Sequence, residues 1–370
     1  MNITWITGRD LNADLASTTE FGLIDAINKK NHIIRVISPT VDINNGSFQH
    51  TRFKKINFRG METISAGIFI NMKFKRSNII QEFSDCVLVD WCYVPSLKRE
   101  LLKMGKPWFI IDRGPPVYRS LLTKIQKRIW KRAWQIASES SCGGFVVSEE
   151  HKKLVNKIGL KKEIHILNAG TNINDFSENI RDIDDLVILS YCGRIDRNRG
   201  LSSIIELSKE LNRREIKHIV NLMGEGDYIN NVKNIAKKSK SIIYHGKLPR
   251  AEVYEILQNS HFGIMPMPNK KVWKAASPIK LAEYMASGLL ILGQDHAGNR
   301  TGENEEWSFL MKGEEWFIDT PEVIKSIIKN NSFQRLSGLS KVSSKKYDWS
   351  VISNKMIEYI QIMILKNKVI

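Results

Sequence analysis

Short runs of apolar residues alternate with helical patterns along most of the chain. The first run is followed by a helical pattern over Thr18–Lys30 and then by a second run. This alternation is typical of a parallel α/β architecture, in which helices connect and cover the strands. The predicted strands are Ile3–Thr7, Ile33–Ile37, Cys86–Val89, Trp108–Ile111, Gly144–Val147, Ile164–Leu167, Val187–Cys192, Ile219–Met223 and Ser241–Tyr244.

One stretch breaks the alternation and divides the chain. Residues 174–185 are polar, show no periodicity and carry five acids, which is typical of a linker. We therefore predict an N-terminal domain over 1–175, a linker over 176–186 and a C-terminal domain over 187–347. A long amphipathic helical pattern follows over 348–370.

Length and composition fit a globular protein with two cores. The chain has 370 residues, of which 42% are hydrophobic and 26% are charged. No apolar run approaches the roughly 18–20 residues that a membrane span needs, and no signal peptide is expected. The four cysteines show no metal spacing, which favours reduced and buried thiols in a cytosolic protein.

The segment from Ser277 to Gly288 predicts a short helix with an anion site at its start. Serine followed by proline is a strong start signal, with Ser277 as the cap and Pro278 in the first helical position. The free amide groups there, together with Lys280 in the first turn, favour a phosphate. Glu283 is then within reach of a sugar hydroxyl of a bound nucleotide.

Three turns at the ends of predicted strands support a nucleotide site. They contain Gly193, Arg194, Arg199 and Gly200 in the first, Gly224 and Gly226 in the second, and His245 and Gly246 in the third. Open α/β sheets bind ligands at the carboxyl ends of their strands. Backbone amides and guanidinium groups can together hold a pyrophosphate. Each turn alone is also compatible with a simple tight turn, but their combination with the helix start indicates a nucleotide.

In this order the motifs resemble the retaining nucleotide-sugar glycosyltransferases of family 4, which have the GT-B fold. That fold has two Rossmann-like parallel-sheet domains facing a cleft. The family pattern places lysine–glycine after a glycine–arginine turn and ends on two glutamates. Here Arg199 replaces the lysine, Glu283 matches the second glutamate and Ala275 replaces the first. The likeness is strong over the C-terminal half and looser over the N-terminal half.

The resemblance implies a role for each of these residues. Arg194 and Arg199 would neutralise the leaving diphosphate with help from Lys280, Glu283 would hold the ribose, and the third turn would meet the base. The implied donor site comprises Gly8, Gly193, Arg194, Arg199, Gly224, Gly226, His245, Gly246, Ser277, Pro278, Ile279, Lys280 and Glu283. By the same analogy, the helix over 348–370 would rejoin the first domain.

The N-terminal half offers two loops at predicted strand ends. Gly8 follows the first strand, where the family has a glycine loop near the donor phosphates. Asp112 and Arg113 follow Trp108–Ile111, at the place where many family members have a histidine. We predict that Arg113 binds an acceptor phosphate and that Asp112 steers an acceptor hydroxyl. The alternative is an Asp–Arg pair that braces the following proline turn.

No metal or cofactor is expected besides the sugar donor. Asp182 and Asp184 match a metal-binding DxD only superficially, because they lie in the predicted linker. GT-B enzymes instead stabilise the leaving diphosphate with basic side chains and a helix start. None of the eight histidines takes the family's catalytic place, and we interpret His151 as structural.

The formal net charge of +17 favours an anionic partner. Six cations lie between Arg119 and Trp134, in a helical pattern with an apolar stripe of Leu121, Leu122, Ile125, Ile129 and Trp130. Such a helix suits an anionic membrane surface, which would contact Lys124, Lys127, Arg128, Lys131 and Arg132. The alternative is a surface helix whose stripe packs on its own sheet. Nucleic acid is not expected, because no recognition motif accompanies the charge.

These features predict a cytoplasmic enzyme that is peripheral on the inner face of the cell membrane. It would move a sugar from a nucleoside-diphosphate sugar to a polyprenol-linked or other growing glycan, with retention of configuration and without a metal. The main alternative is a non-catalytic nucleotide-sugar-binding subunit that supports an active partner, which Ala275 motivates. An epimerase or a phosphorylase of the same fold is a further alternative.

Overall fold

The computed structural model describes residues 1–11, 17–41, 48–54, 66–72, 83–116, 121–159, 161–177, 182–302 and 305–368. The chain divides into two units. The first combines Met1–Ala169 with Trp349–Ile370, and the second is Gly170–Asp348. Among the helices of the described ranges, none has both the length and the hydropathy of a membrane span.

The first unit is built on a seven-stranded parallel sheet. Its strands are β1 (Asn2–Ile6), β2 (Ile33–Ser38), β3 (Gln49–Arg52), β4 (Cys86–Asp90), β5 (Trp108–Ile111), β6 (Gly143–Val146) and β7 (Ile164–Ile166), in the order β3-β2-β1-β4-β5-β6-β7. Ile3 pairs with Ile34 on one side and with Cys86 on the other, so β1 lies inside the sheet. Strands β1, β4 and β5 are almost entirely buried, which explains why most of their residues are apolar.

The helices of the first unit are α1 (Ser17–Asn28), α2 (Val94–Met104), α3 (Leu121–Ser140) and α4 (Glu149–Asn156), together with the C-terminal helix Trp349–Lys368. The C-terminal helix packs closely on α1. A Cβ atom on Gly22 would lie 2.3 Å from Nε1 of Trp349, and the Lys30 ammonium donates to the Ser350 carbonyl at 2.6 Å. The last helix therefore belongs to the first unit.

The second unit has a six-stranded parallel sheet. Its strands are β8 (Val187–Cys192), β9 (His218–Met223), β10 (Ile242–Gly246), β11 (Phe262–Met265), β12 (Leu290–Gln294) and β13 (Ser308–Met311), in the order β10-β9-β8-β11-β12-β13. Its helices are α5 (Leu201–Arg213), α6 (Ile229–Lys238), α7 (Arg250–Gln258), α8 (Lys271–Lys274), α9 (Ile279–Ala286), α10 (Thr320–Lys329) and α11 (Phe333–Ser344).

The second unit begins earlier than the boundary expected at residue 175. Phe176 packs within this unit, since its ring centroid lies 4.3 Å from that of Tyr254. Thr171 forms a bridge with Asp348 at the other end of the unit. Residues 178–181 of the predicted linker lie outside the described residues.

Candidate functional site

The three glycine turns of the second unit meet at the carboxyl edge of its sheet. The Gly193 amide donates to the Met223 carbonyl at 2.9 Å, and the Gly224 amide donates to the Gly246 carbonyl at 2.7 Å. Gly224 has a φ of +133°, and a Cβ atom there would lie 1.8 Å from the Gly193 carbonyl oxygen. Glycine is therefore required at this crossing, and the turns predicted from the sequence form one surface.

Lys280 lies buried beside this surface, in the first turn of α9. Its side chain is 6% exposed, and its ammonium lies 4.2 Å from the centroid of the Tyr191 ring. No described residue accepts a hydrogen bond from this ammonium. Burial lowers the pKa of Lys280 to about 8. An ammonium in such a place favours an anionic ligand.

The start of α9 differs slightly from the sequence prediction. The helix begins at Ile279 and Pro278 takes the cap position, so Ser277 precedes the cap. Proline fits here because its missing N–H would have no partner in the first turn. The anion site at this helix therefore depends more on Lys280 than on a serine cap.

Arg199 and Trp273 supply further donors next to Lys280. The guanidinium of Arg199 lies 4.8 Å from the centroid of the Trp273 ring, and its charge contributes to lowering the pKa of Lys280. Within the described residues, Nε of Arg199 and Nε1 of Trp273 are buried without a hydrogen-bond acceptor, although the Arg199 Nε is 3.4 Å from the Asp196 carboxylate. Three neighbouring donors without good acceptors suit a ligand with several anionic oxygens.

Arg194 lies on the exposed side of the same turn. Its Nε and Nη2 donate to the two Asp196 carboxylate oxygens at 2.7 and 3.1 Å. This hydrogen bonding lowers the pKa of Asp196, which also attracts Arg199. The sequence predicts the same role for Arg194 and Arg199, but in the structure the side chain of Arg199 is more deeply buried and that of Arg194 is about half exposed.

Glu283 lies one turn after Lys280 on the buried side of α9. Its Oε1 is 3.9 Å from Nη2 of Arg250, and its Oε2 is 3.9 Å from Sγ of Cys192. Burial raises the pKa of Glu283, against the opposing effects of Arg250 and Lys280. Arg250 was missed in the sequence analysis, where its position at the start of the helix after the third turn was the available signal.

His245 and Ala275 complete the second-unit site. Nε2 of His245 lies 2.9 Å from the Asn221 side-chain oxygen, which ties the ring to β9. Ala275 is buried directly after α8 and brings no polar side-chain atom. The donor N–H of Trp273, two residues earlier, is the buried polar group nearest to it in sequence.

In the first unit, Asp112 is a structural residue rather than an acceptor-binding one. Its carboxylate is fully buried, where Trp130 and Trp134 donate to Oδ2 at 2.5 and 2.9 Å and His151 Nε2 lies at 3.0 Å. Burial alone would raise the pKa of Asp112, but His151 and the two indole groups hold it below its ordinary value. The prediction that Asp112 steers an acceptor hydroxyl is therefore corrected, because Oδ2 accepts from the two indole groups and Oδ1 accepts from the Gly114 amide at 3.1 Å.

Gly8 is also in close contact with other residues of the first unit. Its amide donates to Asp90 at 3.2 Å, and a Cβ atom on Gly8 would lie 2.0 Å from the Tyr93 hydroxyl. Asp90 therefore already accepts from this amide, and the place of Gly8 near the donor phosphates stays a prediction. Glycine at this position is explained by the close approach of Tyr93.

Helix α3 presents its cations to solvent and its tryptophans to the core. Lys124, Lys127, Arg128, Lys131 and Arg132 are all exposed. Trp130 and Trp134 are 7% and 1% exposed, so the tryptophans do not line a membrane-facing stripe. Of the expected stripe, Ile125 is exposed, whereas Arg119 and the side chains of Leu121 and Leu122 lie outside the described parts.

The described residues contain no group of three or more His, Cys, Asp or Glu side chains placed to hold a metal ion. Asp182, in the superficial DxD sequence, accepts a hydrogen bond from the Gln334 side chain at 2.9 Å.

Comparison with known proteins identifies the fold. Residues 187–327 match the family model for glycosyl transferases group 1, whereas no curated protein matches the sequence. The chain is similar to sucrose-phosphate synthase from Thermosynechococcus elongatus, with a TM-score of 0.77, 12% identity and 99% of each chain covered.

Two further structures have the same architecture. HepE from Anabaena, solved with UDP, gives a TM-score of 0.72 at 12% identity and covers 98% of this chain and 100% of its own. WaaG, a glycosyltransferase involved in lipopolysaccharide biosynthesis, gives 0.71 at 11% identity and covers 97% and 99%. The chain therefore has the GT-B fold, as the sequence predicted.

Proposed function

We propose that the protein is a glycosyltransferase that uses a nucleoside-diphosphate sugar, and that the second unit binds this donor. The observation that carries the proposal is the buried ammonium of Lys280 beside Arg199, with no acceptor from the described residues. A buried unpaired charge costs several kcal/mol, and a diphosphate would remove that cost. The match of residues 187–327 to glycosyl transferases group 1 supports the same assignment.

The proposed transfer chemistry follows from the positive side chains that would lie beside the leaving diphosphate. When the bond between the sugar C1 and the diphosphate oxygen breaks, its electron pair stays on the diphosphate, and Arg199 and Lys280 stabilise the new negative charge. Arg194, which donates a hydrogen bond to Asp196, adds a more distant positive charge. The acceptor oxygen then bonds to C1, and its proton passes to the departing diphosphate oxygen.

Glu283 and the third glycine turn are proposed to hold the nucleoside. Glu283 is a carboxylate whose attraction to Arg250 is weak at 3.9 Å, so it remains able to accept from the ribose hydroxyls. The turn at His245 and Gly246 would meet the base. HepE, whose complexes include UDP and UDP-glucose, makes uridine donors the first to test.

The donor assignment is tested by thermal shift with UDP-, GDP- and ADP-sugars. A ligand of the native state raises the melting temperature by mass action. We expect one nucleotide series to stabilise the protein and Lys280→Met to lose that stabilisation. If no nucleotide stabilises the wild-type protein, the assignment is wrong.

We further propose that transfer retains the anomeric configuration and needs no metal ion. In this proposal the basic side chains take over the role of a metal at the leaving diphosphate. NMR of the first-formed product gives its configuration, and activity should persist in EDTA. An inverted product, or a strict requirement for Mg²⁺ or Mn²⁺, contradicts these two points.

A second candidate function is a nucleotide-sugar-binding subunit without activity of its own. Ala275 favours it, because this buried position supplies no polar contact to a donor sugar. Nucleotide binding without transfer or hydrolysis across the donor panel would support this candidate.

The proposed acceptor is a lipid-linked or other growing glycan at an anionic membrane surface. The five exposed cations of α3 support binding to a membrane, at about 1 kcal/mol each near an anionic surface.

Changing Lys127, Arg128, Lys131 and Arg132 to Gln should abolish most sedimentation with acidic vesicles. A matched control changes the exposed Lys233, Lys237, Lys238 and Lys240 of the second unit to Gln. Equal losses in both variants contradict a specific role for α3.

A further inference from the structure

A second group of charged residues lies at the carboxyl edge of the first sheet. Arg9 follows β1, Asp90 ends β4, Arg113 follows β5, and Glu20 lies in the first turn of α1. Strands β1, β4 and β5 are consecutive in the sheet, so the residues that follow them converge. This edge is where α/β sheets bind ligands, and all four residues of the group belong to the first unit.

Within this group two buried atoms lack partners. Arg9 Nε lies 3.1 Å from Oε1 of Glu20, and Asp90 accepts from the loop after β1. In the part of the chain that the structure describes, no donor reaches Oε2 of Glu20 and no acceptor reaches Nη1 of Arg113. Glu20 is 1% exposed, so water does not readily replace the missing donor. Buried polar atoms normally have partners, so a ligand is expected there.

Oε2 of Glu20 is an acceptor on a negatively charged group, and Nη1 of Arg113 is a donor on a positively charged group. Burial raises the pKa of Glu20, which Arg9 and Arg113 partly offset, and burial lowers the pKa of Arg113, which Glu20 partly offsets. Arg9, Arg113, Glu20 and Asp90 contribute two positive and two negative formal charges, which sum to zero. A phosphate would gain no net attraction and would face two carboxylates. A hydroxyl group fits, because it donates one hydrogen bond and accepts others.

We propose that this group is the acceptor subsite and that it binds a saccharide hydroxyl group rather than a phosphate. The hydroxyl donates to Oε2 of Glu20 and accepts from Nη1 of Arg113. The inference rests on the proposed glycosyltransferase function, which makes a saccharide the expected neutral ligand. It replaces the sequence-based expectation that Arg113 binds an acceptor phosphate.

The test is a ligand-observed NMR titration of the full-length protein with neutral methyl glycosides. The panel contains the methyl glycosides of glucose, galactose, mannose, N-acetylglucosamine and rhamnose, and the 6-phosphates of the glucose and mannose compounds. We expect at least one neutral glycoside to bind and neither 6-phosphate to bind more tightly than its neutral parent. Glu20→Gln and Arg113→Lys should each weaken binding by about fivefold or more, because the first replaces a carboxylate acceptor with a neutral amide and the second removes the guanidinium geometry that places Nη1.

Two exposed residues of the same unit provide matched controls. Glu149 also lies in the first turn of a helix, and Arg99 lies on α2, so Glu149→Gln and Arg99→Lys should bind as the wild type does. If one site variant fails to fold in a urea titration, the other carries the test. Tighter binding of a 6-phosphate, no binding of any glycoside, or wild-type affinity in a folded site variant overturns the proposal. The nucleotide thermal shift tests the proposed function separately, and the site variants should retain it.

Discussion

The carboxyl edges of the two sheets hold unpaired polar atoms in different ways. At the edge of the second sheet, Arg199, Lys280 and Trp273 offer donors only. At the edge of the first sheet, Glu20 and Arg113 offer one acceptor and one donor. An excess of buried positive charge is relieved only by an anion, whereas a balanced pair is satisfied by a neutral group. The unpaired atoms therefore indicate the charge of each ligand as well as its position.

The largest expected effect follows from removing the donors of the second sheet. Arg199→Ala and Lys280→Met should each lower turnover by roughly a hundredfold or more, because the leaving diphosphate loses stabilisation. Unfolding in urea should show unchanged or higher stability for Lys280→Met, since an unpaired buried charge is gone.

Arg197→Ala is the control for this prediction. Arg197 lies in the same turn but is exposed, with its guanidinium 5.8 Å from the Tyr228 ring centroid. Turnover should stay near the wild-type value in this variant. Wild-type turnover in Lys280→Met would instead remove the basis for the diphosphate assignment.

The second-unit site was more predictable from the sequence than the first-unit site. Arg199, Lys280 and Glu283 lie in turns and a helix start that follow predicted strands, and parallel strands bring such segments together. Glu20 and Asp90 are single charged residues within ordinary patterns. The proximity of Glu20 and Asp90 to Arg113 depends on tertiary packing, which no local sequence pattern predicts.

A weak local pattern also explains why strand β3 was missed. Strand β3, Gln49–Arg52, has no apolar residue and lies at an edge of the sheet, so it lacks a strand signal. Trp130 was placed in the apolar stripe from helical periodicity alone, which cannot distinguish a membrane from the protein's own core, where both Trp130 and Trp134 lie. Their burial depends on Asp112, which is 18 residues from Trp130 in sequence.

The buried contacts of Asp112 predict that this residue contributes to stability rather than to ligand binding. Two buried indole N–H groups donate to one of its oxygens, and Nε2 of His151 lies 3.0 Å from the same oxygen. Asp112→Asn should lower the free energy of unfolding in urea by about 2–3 kcal/mol, because charged and buried hydrogen bonds are weakened. Glu139→Gln, at an exposed position on α3, should change it by less than about 0.5 kcal/mol. A folded Asp112→Asn protein with normal stability but impaired acceptor binding would restore the functional interpretation.

A smaller effect is expected at the nucleoside end of the donor site. Glu283→Gln should weaken donor binding by about tenfold in calorimetry, because a neutral amide is a poorer acceptor from two ribose hydroxyls. Glu252→Gln, an exposed acid on α7, is the matched control and should bind normally. Unchanged affinity in Glu283→Gln would place the ribose elsewhere.

The smallest expected effect is a pH dependence of donor affinity. Burial lowers the pKa of Lys280 to about 8, so its protonated fraction falls from about nine-tenths at pH 7 to about a quarter at pH 8.5. The diphosphate binds the protonated form, so affinity should be nearly full at pH 7, about half of that at pH 8 and about fourfold lower at pH 8.5. Burial also raises the pKa of Cys192 to about 12 and raises the pKa of Tyr191, so neither thiol nor phenol loses its proton in this range.

Calorimetry across pH 6.5–8.5 measures this dependence, and two variants assign it. It should persist in Glu283→Gln, whereas the weak residual affinity of Lys280→Met should not change with pH, because only Lys280 carries the titrating proton. The stability of the free protein should change in the opposite direction. Between pH 8 and 10.5 the unfolded chain holds the Lys280 proton that the folded chain has lost, so stability rises with pH. If the Lys280→Met protein keeps the wild-type pH curve, another group titrates and the ammonium is not the anion's partner.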